Sequence, residues 1–551
     1  MPGCNVLKIG GLGQNNYYAL MAKEFRALGV HVPINTLINT GSSGWWGRFS
    51  QADVVRLADN RTFAAFEGAD LAGLGQQLAW MRSQFPNHNP LVNFEYYSGW
   101  IDLEGHAHPN PRAPTVAAYA AGLDQQLASN LSVSLYMAVV SCPTPISRCG
   151  NPSQNPPHAS LVRICAPTPR SLSVLRLQGG TNFGFMGGGE WEGGRSTPII
   201  ASYDYAAPIT EGGDIGPKFL PLQSVIRKHF PSTTPPPPPA GAAPIPKQAY
   251  GTVVFDSEAP LFENLAHFNT SVLTAPQNME VLGQNFGWIL YTMHLPDGGK
   301  ASPVLVAPGL ADRGLAYLGS ELQGVIGTWV PAHSLTLSGQ LGKGAALRVL
   351  VSNEGRQSGE LMSLARNSKG LLGSSAQPAT CGGAALGAMN ATHLALPEPA
   401  SAWADSLGWR PAGGSGGHAP TFYRGTLTAA GGEATFLVMD GWGHGVVFVN
   451  DVNVGRFSCL GPVRTLYVPT GVLIKGKNSI YIFETDRLGV TTKKSARTVT
   501  SVAAGPLWMN RTQLAAAAAA RVVLKSDELP CPFGSNNSIP RSARQPGVAG
   551  G

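Results

Sequence analysis

Residues 91–102 read LVNFEYYSGWID, and the carboxylate of Glu95 lies at the centre of this stretch. A short apolar run precedes Glu95, and Tyr97 and Trp100 follow it closely. This order predicts a buried strand whose C-terminal end delivers one acid into an aromatic-lined cleft. Aromatic faces beside a carboxylate are an arrangement with which proteins hold a sugar ring. The stretch therefore predicts both a core strand and a candidate site at its end.

The first 230 residues alternate strand-like and helix-like runs around this stretch. Strands separated by helices pair in parallel, so this order predicts an α/β fold. We count about four such units, whereas a closed (β/α)8 barrel needs twice as many. The predicted strands are 31–39, 62–66, 91–95 and 131–137, and the predicted helices are 15–28, 71–85 and 115–129.

The rest of the chain divides by composition. Residues 138–178 interrupt the α/β pattern with a run rich in Pro, Ser, Arg and Cys that has no periodicity, and a loop of this length is unusual inside a compact domain. A Pro-rich linker is predicted at 231–248. Short strands with Gly, Asn and Asp turns then predict two all-β domains of the β-sandwich or jelly-roll type, at 249–400 and 401–490. The tail, 491–551, is predicted to be largely disordered.

Composition excludes several classes of function. The 551 residues carry a net charge of +7, but only 13% of them are charged and no dense Lys/Arg block occurs, so a nucleic-acid partner is not expected. No apolar run has the length of a membrane span, and the N-terminus shows no signal-peptide pattern. Seven cysteines form neither a disulfide framework nor a zinc pattern. His106 and His108 lack a third ligand at metal spacing, so no metal site is predicted.

Several separated motifs occur together in a fixed order. Besides residues 93–102, they are SLYM at 134–137, GGTNFGFM at 179–186, SYDYAAPITEGGD at 202–214 and FVNDVNVGRF at 448–457. In this combination the chain resembles glycoside hydrolase family 35, the β-galactosidases. The resemblance implies the C-terminal half of a (β/α)8 TIM-type barrel followed by β-sandwich and galactose-binding-like jelly-roll domains. It also implies a secretory destination, in the lysosome, the vacuole or the cell wall.

The resemblance assigns roles to individual residues. It implies release of terminal β-D-galactose from β-galactosides through a covalent galactosyl-enzyme, with Glu95 as the nucleophile and without a cofactor. Trp100, Tyr136 and Tyr205 match aromatic residues that line the galactose site in the family. Buried tyrosines of a barrel core are the competing interpretation of Tyr136 and Tyr205.

The chain departs from the family at the acid/base. In the family this glutamate lies in an Asn-Glu-Tyr-Gly segment just before the helix that corresponds to residues 15–28, where this chain has Leu12 or a glycine. Leucine cannot transfer a proton, so we expect the acid/base to be absent and activity to be impaired. Glu104 and Glu190 are predicted to be solvated loop residues rather than substitutes for it.

Two further expectations follow from the departures. In the family SLYM runs almost directly into GGTNFG, so residues 138–178 are predicted to be an aberrant insert such as a retained intron. The chain is expected to begin near the middle of the barrel, through a misassigned N-terminus. The alternative function is a non-catalytic carbohydrate-binding protein, made of a degenerate barrel with jelly-roll modules.

Overall fold

The structure is a computed structural model of the 551-residue chain. Besides the single positions 27 and 79, which are helical, it describes residues 34–37, 62–67, 92–136, 162–165, 171–174, 179–192, 194–231, 245–294, 302–330, 332–338, 346–358, 367–371, 377–413, 420–486 and 497–522. Most of the two predicted helices at 15–28 and 71–85 lies outside the described residues.

A six-stranded sheet carries the candidate site. Its spatial order is β1-β2-β3-β4-β6-β5, and all neighbours pair in parallel except β5 and β6, which are antiparallel. The parallel pairing confirms the α/β prediction. The described strands form an open sheet, which by itself does not show the predicted half of a barrel. The strands are β1 Ile34–Leu37, β2 Thr62–Glu67, β3 Val92–Tyr97, β4 Ser132–Tyr136, β5 Val162–Cys165 and β6 Ser171–Val174.

Two helices accompany the sheet, α1 Val116–Ala128 and α2 Phe219–His229. Thr115 caps α1, because its side chain accepts a hydrogen bond from the backbone nitrogen of Ala118. Helix α1 packs against both β4 and α2. Tyr96 fastens β3 to α1, since its ring stacks on Tyr119 at 5.0 Å and its hydroxyl donates to the Tyr119 carbonyl at 2.6 Å.

The segment at 138–178 contributes two of the six strands. Strands β5 and β6 lie within it, and β6 pairs with β4 in parallel. The absence of periodicity therefore did not prevent strand formation at 162–165 and 171–174, because pairing to an existing sheet edge supplies hydrogen bonds that local pattern does not reveal. The remainder of the segment lies outside the described residues.

Short strands join the α/β region to the β domains. They are β7 Gly180–Thr181, β8 Gly189–Glu192, β9 Arg195–Pro198, β10 Ser202–Tyr203 and, from the first β domain, β19 Gln357–Ser358. Strand β7 pairs with β10, and β8 forms a hairpin with β9. Strand β19 then adds to β8 in parallel, so this small sheet includes strands from two domains.

The first β domain packs a six-stranded antiparallel sheet against a four-stranded one. Its buried core joins Ile289 and Val349 of the larger sheet to Leu305 of the smaller one. The larger sheet contains β12 Thr270–Leu273, β13 Trp288–His294, β15 Arg313–Leu318, β16 Glu321–Ile326, β18 Ala346–Ser352 and β22 Met389–Leu394. The smaller contains β14 Val304–Val306, β17 Ser334–Thr336, β20 Thr380–Cys381 and β21 Ala384–Ala385.

The second β domain is one nine-stranded sheet folded on itself, in the order β27-β26-β29-β24-β11-β30-β25-β28 with β23 on β11. Val447 near one end and Val468 at the other share one core, which gives the predicted sandwich. The strands are β11 Gly251–Pro260, β23 Arg410–Pro411, β24 Thr421–Ala429, β25 Thr435–Val438, β26 His444–Val449, β27 Val452–Ser458, β28 Thr465–Val468, β29 Gly476–Glu484 and β30 Thr498–Val502. Short helices lie at Leu261–Glu263, Leu265–His267 and α3 Ser401–Ala404, and α4 spans Arg511–Val522.

Two predicted boundaries differ from the structure. Strand β11 lies within the predicted first β domain, 249–400, yet it pairs with β24 and β30 of the second. Strand β30 lies within the tail predicted to be largely disordered, 491–551, yet it is a central strand between β11 and β25. Both differences arise because the first β domain is inserted after β11, and the chain then returns to complete the nine-stranded sheet.

Candidate active site

Glu95 lies at a β-bulge near the C-terminal end of β3. Between Asn93 and Tyr96, β3 advances three residues while β4 advances two, from Val133 to Leu135. The register with β2 shifts at the same place, since Phe66 and Glu67 face Asn93 and Glu95. A bulge bends a strand and re-aims a side chain, and bulges concentrate next to active sites. The sequence predicted the strand but carried no signal for the bulge.

One hydrogen bond reaches the Glu95 carboxylate, and two more hold its backbone in place through Asn93. The Asn93 side chain accepts from the backbone nitrogen of Glu95 at 3.1 Å and donates to Gln126 of α1 at 2.8 Å. The Tyr97 hydroxyl donates to Glu95 Oε2 at 2.6 Å. A hydrogen bond to an ionised oxygen is short and strong, so Oε2 is oriented by Tyr97. Among the described residues, Oε1 has no hydrogen-bond partner, and Glu95 is half-buried.

Trp100 packs against Tyr97, the residue that binds this carboxylate. Its ring meets the Tyr97 ring edge-on at 5.2 Å, and the Arg112 guanidinium lies 5.7 Å from its centroid. The Trp100 indole nitrogen is buried and has no hydrogen-bond partner in the described part of the chain. A buried donor without a partner is rare in folded proteins.

The structure brings the two predicted tyrosines to the same end of the sheet by different routes. Tyr136 is the last residue of β4 and faces Tyr97 in the β3–β4 register; its side chain lies outside the described residues. Tyr205 follows β10, is 2% exposed and stacks on Tyr203 at 5.4 Å. Its carbonyl oxygen lies where a Cβ on Gly99 would be, at 1.4 Å, so glycine is required for this close approach.

Lys218 joins the loop after β3 to the loop after β10. Its ammonium donates to the Ser98 carbonyl at 2.5 Å and to the Ala206 carbonyl at 3.1 Å. Burial lowers the pKa of Lys218 to about 8, against the opposing charge of Asp204. Sequence reasoning missed this residue. These two hydrogen bonds, the Lys218 clamp, fix the loop that contains Ser98 and Trp100 relative to the loop that contains Tyr205 and Ala206.

A buried acid ties together two of the sequence motifs. Glu211 accepts hydrogen bonds from the Thr181 hydroxyl at 2.5 Å and the Ser202 hydroxyl at 2.7 Å, and its backbone nitrogen donates to Asp204 at 2.9 Å. Burial raises the pKa of Glu211 to about 8, with a smaller contribution from the nearby Asp204 charge. The sequence did not predict this contact, which joins the GGTNFG motif to the SYDY motif.

The two acids predicted to be solvated loop residues, and also His108, have specific partners in the structure. Glu104 is 3% exposed and accepts a hydrogen bond from the Trp329 indole at 2.8 Å, so its prediction as a solvated residue is wrong. Glu190 lies on strand β8 rather than in a loop and is half-buried, 4.0 Å from Arg112, so its prediction as a solvated loop residue is wrong as well. His108 contacts Asp102 at 2.8 Å and stacks on Trp508 at 3.4 Å. Contacts from distant elements produce this burial.

The sequence predicted three absences: an acid/base residue, a metal site and a membrane span. Leu12, which occupies the place expected for the acid/base, lies outside the described residues. The described residues contain no cluster of three or more His, Cys, Asp or Glu side chains arranged to hold a metal ion. No helix in the described part of the chain is long and apolar enough to cross a lipid bilayer.

Three family profiles match this chain. "Glycosyl hydrolases family 35" matches residues 152–229, "Beta-galactosidase, first all-beta domain" matches 276–378, and "Beta-galactosidase, galactose-binding domain" matches 420–478. The chain belongs to glycosyl hydrolase family 35. The two β-domain matches fall in the two observed β domains and confirm the prediction of β-galactosidase-type all-β domains. Glu95 lies outside all three matches, and the first match begins inside 138–178, so the extent of the insert stays a prediction.

Curated relatives support the family, and they also show how much of a relative's length this chain matches. The chain is 30% identical to "Beta-galactosidase-1-like protein" of Mus musculus, over 74% of this chain and 55% of that protein. It is 30% identical to "Beta-galactosidase 1" of Dictyostelium discoideum, over 72% and 55%. It is 28% identical to "Beta-galactosidase 17" of Arabidopsis thaliana, over 72% and 54%. The chain spans about half the length of the curated relatives it matches.

Proposed function

We propose that this chain carries the nucleophile half of a retaining β-galactosidase-type glycoside hydrolase. The observation that carries the proposal is Glu95, held at the C-terminal end of a parallel strand with one oxygen bound by Tyr97, against which Trp100 packs edge-on. Catalytic residues of parallel α/β barrels lie at the C-terminal ends of strands. Membership of family 35 and the relatives named β-galactosidase support a β-galactoside as the substrate class.

We assign each group a role in this reaction. Tyr97 orients Oε2 of Glu95, and Oε1 attacks the anomeric carbon of the galactoside. The bond from that carbon to the leaving oxygen breaks as the galactosyl ester forms, and the leaving oxygen must gain a proton. Water later cleaves the ester with retention of configuration. Trp100 is the platform for the sugar ring, and Tyr136 and Tyr205 complete the galactose site.

The acid/base step limits this chain. Retaining hydrolysis needs a second carboxyl group about 5–5.5 Å from the nucleophile, and the family places it where this sequence has Leu12. General acid–base catalysis contributes roughly a factor of 10²–10⁴. We therefore propose that hydrolysis of natural galactosides is impaired, and that the first 230 residues represent the C-terminal half of a (β/α)8 barrel.

A secretory destination is proposed with this function. Its support is the family resemblance, together with Cys459, which is disulfide-bonded. Disulfides persist in oxidising compartments and are rare in the cytosol.

The experiment uses a substrate whose leaving group needs no proton. Dinitrophenyl β-galactoside should form the galactosyl-enzyme without an acid, and azide should then release it as β-galactosyl azide. Mass spectrometry after reaction with a fluorinated galactoside should locate the label on the peptide that contains Glu95. Glu95→Gln should abolish the label and the azide-dependent turnover. Glu190→Gln, a half-buried acid of the neighbouring hairpin, is the matched control and should keep both.

Two results would refute the proposal. One is a galactosyl label on a different residue, and the other is azide-dependent turnover that persists in Glu95→Gln. Sugar binding without any label on Glu95 would instead favour the non-catalytic carbohydrate-binding protein.

Tyr97→Phe tests the orientation of the nucleophile. Removing a hydrogen bond to a charged group costs about 1.5–3 kcal/mol, so the rate of galactosyl-enzyme formation should fall about 10- to 100-fold. Tyr250→Phe is the control, because its hydroxyl donates to Glu433 at 2.9 Å in the second β domain. An equal loss of rate in both variants would contradict the role of Tyr97.

A further inference from the structure

A groove lies where the α/β region meets both β domains. Its volume is about 550 Å³, within the range of small-molecule sites. The 183–188 loop supplies one wall, the first β domain supplies Phe286 and Arg356, and the second supplies Val452 and Asn453. No residue of the candidate active site lines it.

The walls of the groove are fixed to one another across the domains. The Gly184 nitrogen donates to the Asn453 carbonyl at 3.1 Å, and the Gly189 nitrogen donates to the Arg356 carbonyl at 2.9 Å. Arg456 reaches the Gly187 carbonyl at 2.9 Å. A preformed site loses little conformational freedom when a ligand binds, so this rigidity favours binding.

Aromatic and apolar side chains form an exposed platform in the groove. Phe185 stacks on Phe286 at 5.4 Å with an angle of 17° between the rings. Phe286 remains 40% exposed and Met186 67% exposed. Large apolar side chains that stay exposed beside a cavity mark a binding surface.

The polar groups of the groove suit hydroxyl groups rather than ions. Among the described residues, the side-chain amides of Asn285 and Asn453 have unused donors. One carboxylate oxygen of Glu398 accepts a hydrogen bond from the backbone nitrogen of Asn453 at 2.8 Å. Arg356 is already paired with Glu280. The free carboxylate oxygen repels anions such as phosphate, whereas amide donors and a carboxylate acceptor fit neighbouring hydroxyls.

We propose that this groove is a carbohydrate-binding site, separate from the Glu95 site, for the neutral sugar units of a galactoside chain. The sugar face packs on Phe286, and its hydroxyls bond to Asn285, Asn453 and Glu398. The choice of a galactoside rests on the proposed function. The site itself rests on the groove.

The test measures binding of a β-linked galactotriose to the full chain carrying Glu95→Gln, by titration calorimetry and by saturation-transfer NMR. Adding Phe286→Ala should weaken binding about tenfold, since an aromatic contact is worth about that much. Adding Asn285→Ala, at an exposed side chain, should weaken it about threefold. The control is Val272→Ala on β12, which is 84% exposed and outside the groove; it should change nothing.

Outcomes separate this proposal from the first. Unchanged binding in both Phe286→Ala and Asn285→Ala overturns the groove, and so does the absence of any binding. A third result also overturns the groove as a sugar site. It is self-association of the chain that Met186→Ala abolishes and that galactotriose does not inhibit, because the surface is then an interface between copies. Galactotriose binding that depends on Phe286 supports the groove even when no galactosyl label forms on Glu95.

Discussion

At the scale of single residues, the site depends on groups whose state follows from burial. Glu95 is held by Tyr97 and by the Asn93 amide. Glu211 is fully enclosed, and its carboxyl group lies between the hydroxyls of Thr181 and Ser202. Burial favours the neutral form of the acid. Glu211 therefore serves to position the motifs, while the half-buried Glu95 is the proposed nucleophile.

Glu211 should make stability depend on pH. Its pKa is about 8 in the folded chain, mainly through burial, against an ordinary value of 4.5. Between these values the folded state binds one more proton than the unfolded state, so the free energy of unfolding should fall as pH rises through this window. Glu211→Gln mimics the neutral acid and should be more stable by roughly 2–4 kcal/mol near pH 8, and unchanged near pH 4.

Chemical denaturation across this pH window measures the effect. Glu263→Gln, at an exposed acid of the second β domain, is the control and should follow the parent chain. A parent and a Glu211→Gln variant with parallel pH profiles would show that Glu211 is not protonated in the folded state.

At the scale of elements, the local sequence pattern predicted which strands and helices exist better than it predicted how the strands pair. The predicted strand 131–137 is observed as β4 and the predicted helix 115–129 as α1, because hydrophobic periodicity and the Thr115 cap act within a few residues. The bulge at Glu95 and the place of β30 were not predicted, because both depend on neighbouring strands that are distant in sequence.

Truncation tests the place of β30. Ending the chain at residue 490 removes β30 and opens the nine-stranded sheet between β11 and β25, leaving unpaired edges that favour aggregation. Ending it at residue 522 keeps every described strand. We expect the first protein to be insoluble or to lose its cooperative thermal transition, and the second to unfold like the full chain. A soluble, cooperative 490-residue protein would contradict the central role of β30.

At the scale of the whole molecule, a buried ionic cluster joins the three regions. Glu104 of the α/β region, Glu354 of the first β domain and His444 of the second face one another, with His444 3.9 Å from Glu104 and 3.4 Å from Glu354. Arg456 lies 3.2 Å from Glu354. Although burial opposes it, the charges of His444 and Arg456 lower the pKa of Glu354. Buried charges are stable only when they are paired, so the ionic cluster forms only when all three regions are docked against one another.

Glu354→Gln should loosen the domain junction. Removing this charge leaves His444 and Arg456 poorly compensated, and breaking a buried pair costs about 3–5 kcal/mol. We expect a lower thermal midpoint and faster proteolysis between domains. Glu321→Gln, an exposed acid on β16, should leave both unchanged. Equal stability of Glu354→Gln and the parent would show that apolar contacts such as Trp288 against Phe483 carry the junction.

The sequence by itself determined the family, the α/β order, the β domains and the position of Glu95, because motifs and periodicity depend on residues close together in the chain. Tertiary structure alone decided the burial of Glu104, the Lys218 clamp, the return of β30 and the groove between the domains. Each of these needs contacts between elements separated by about a hundred residues or more, as Lys218 and Ser98 show across 120 positions, and neither hydropathy nor spacing records such contacts.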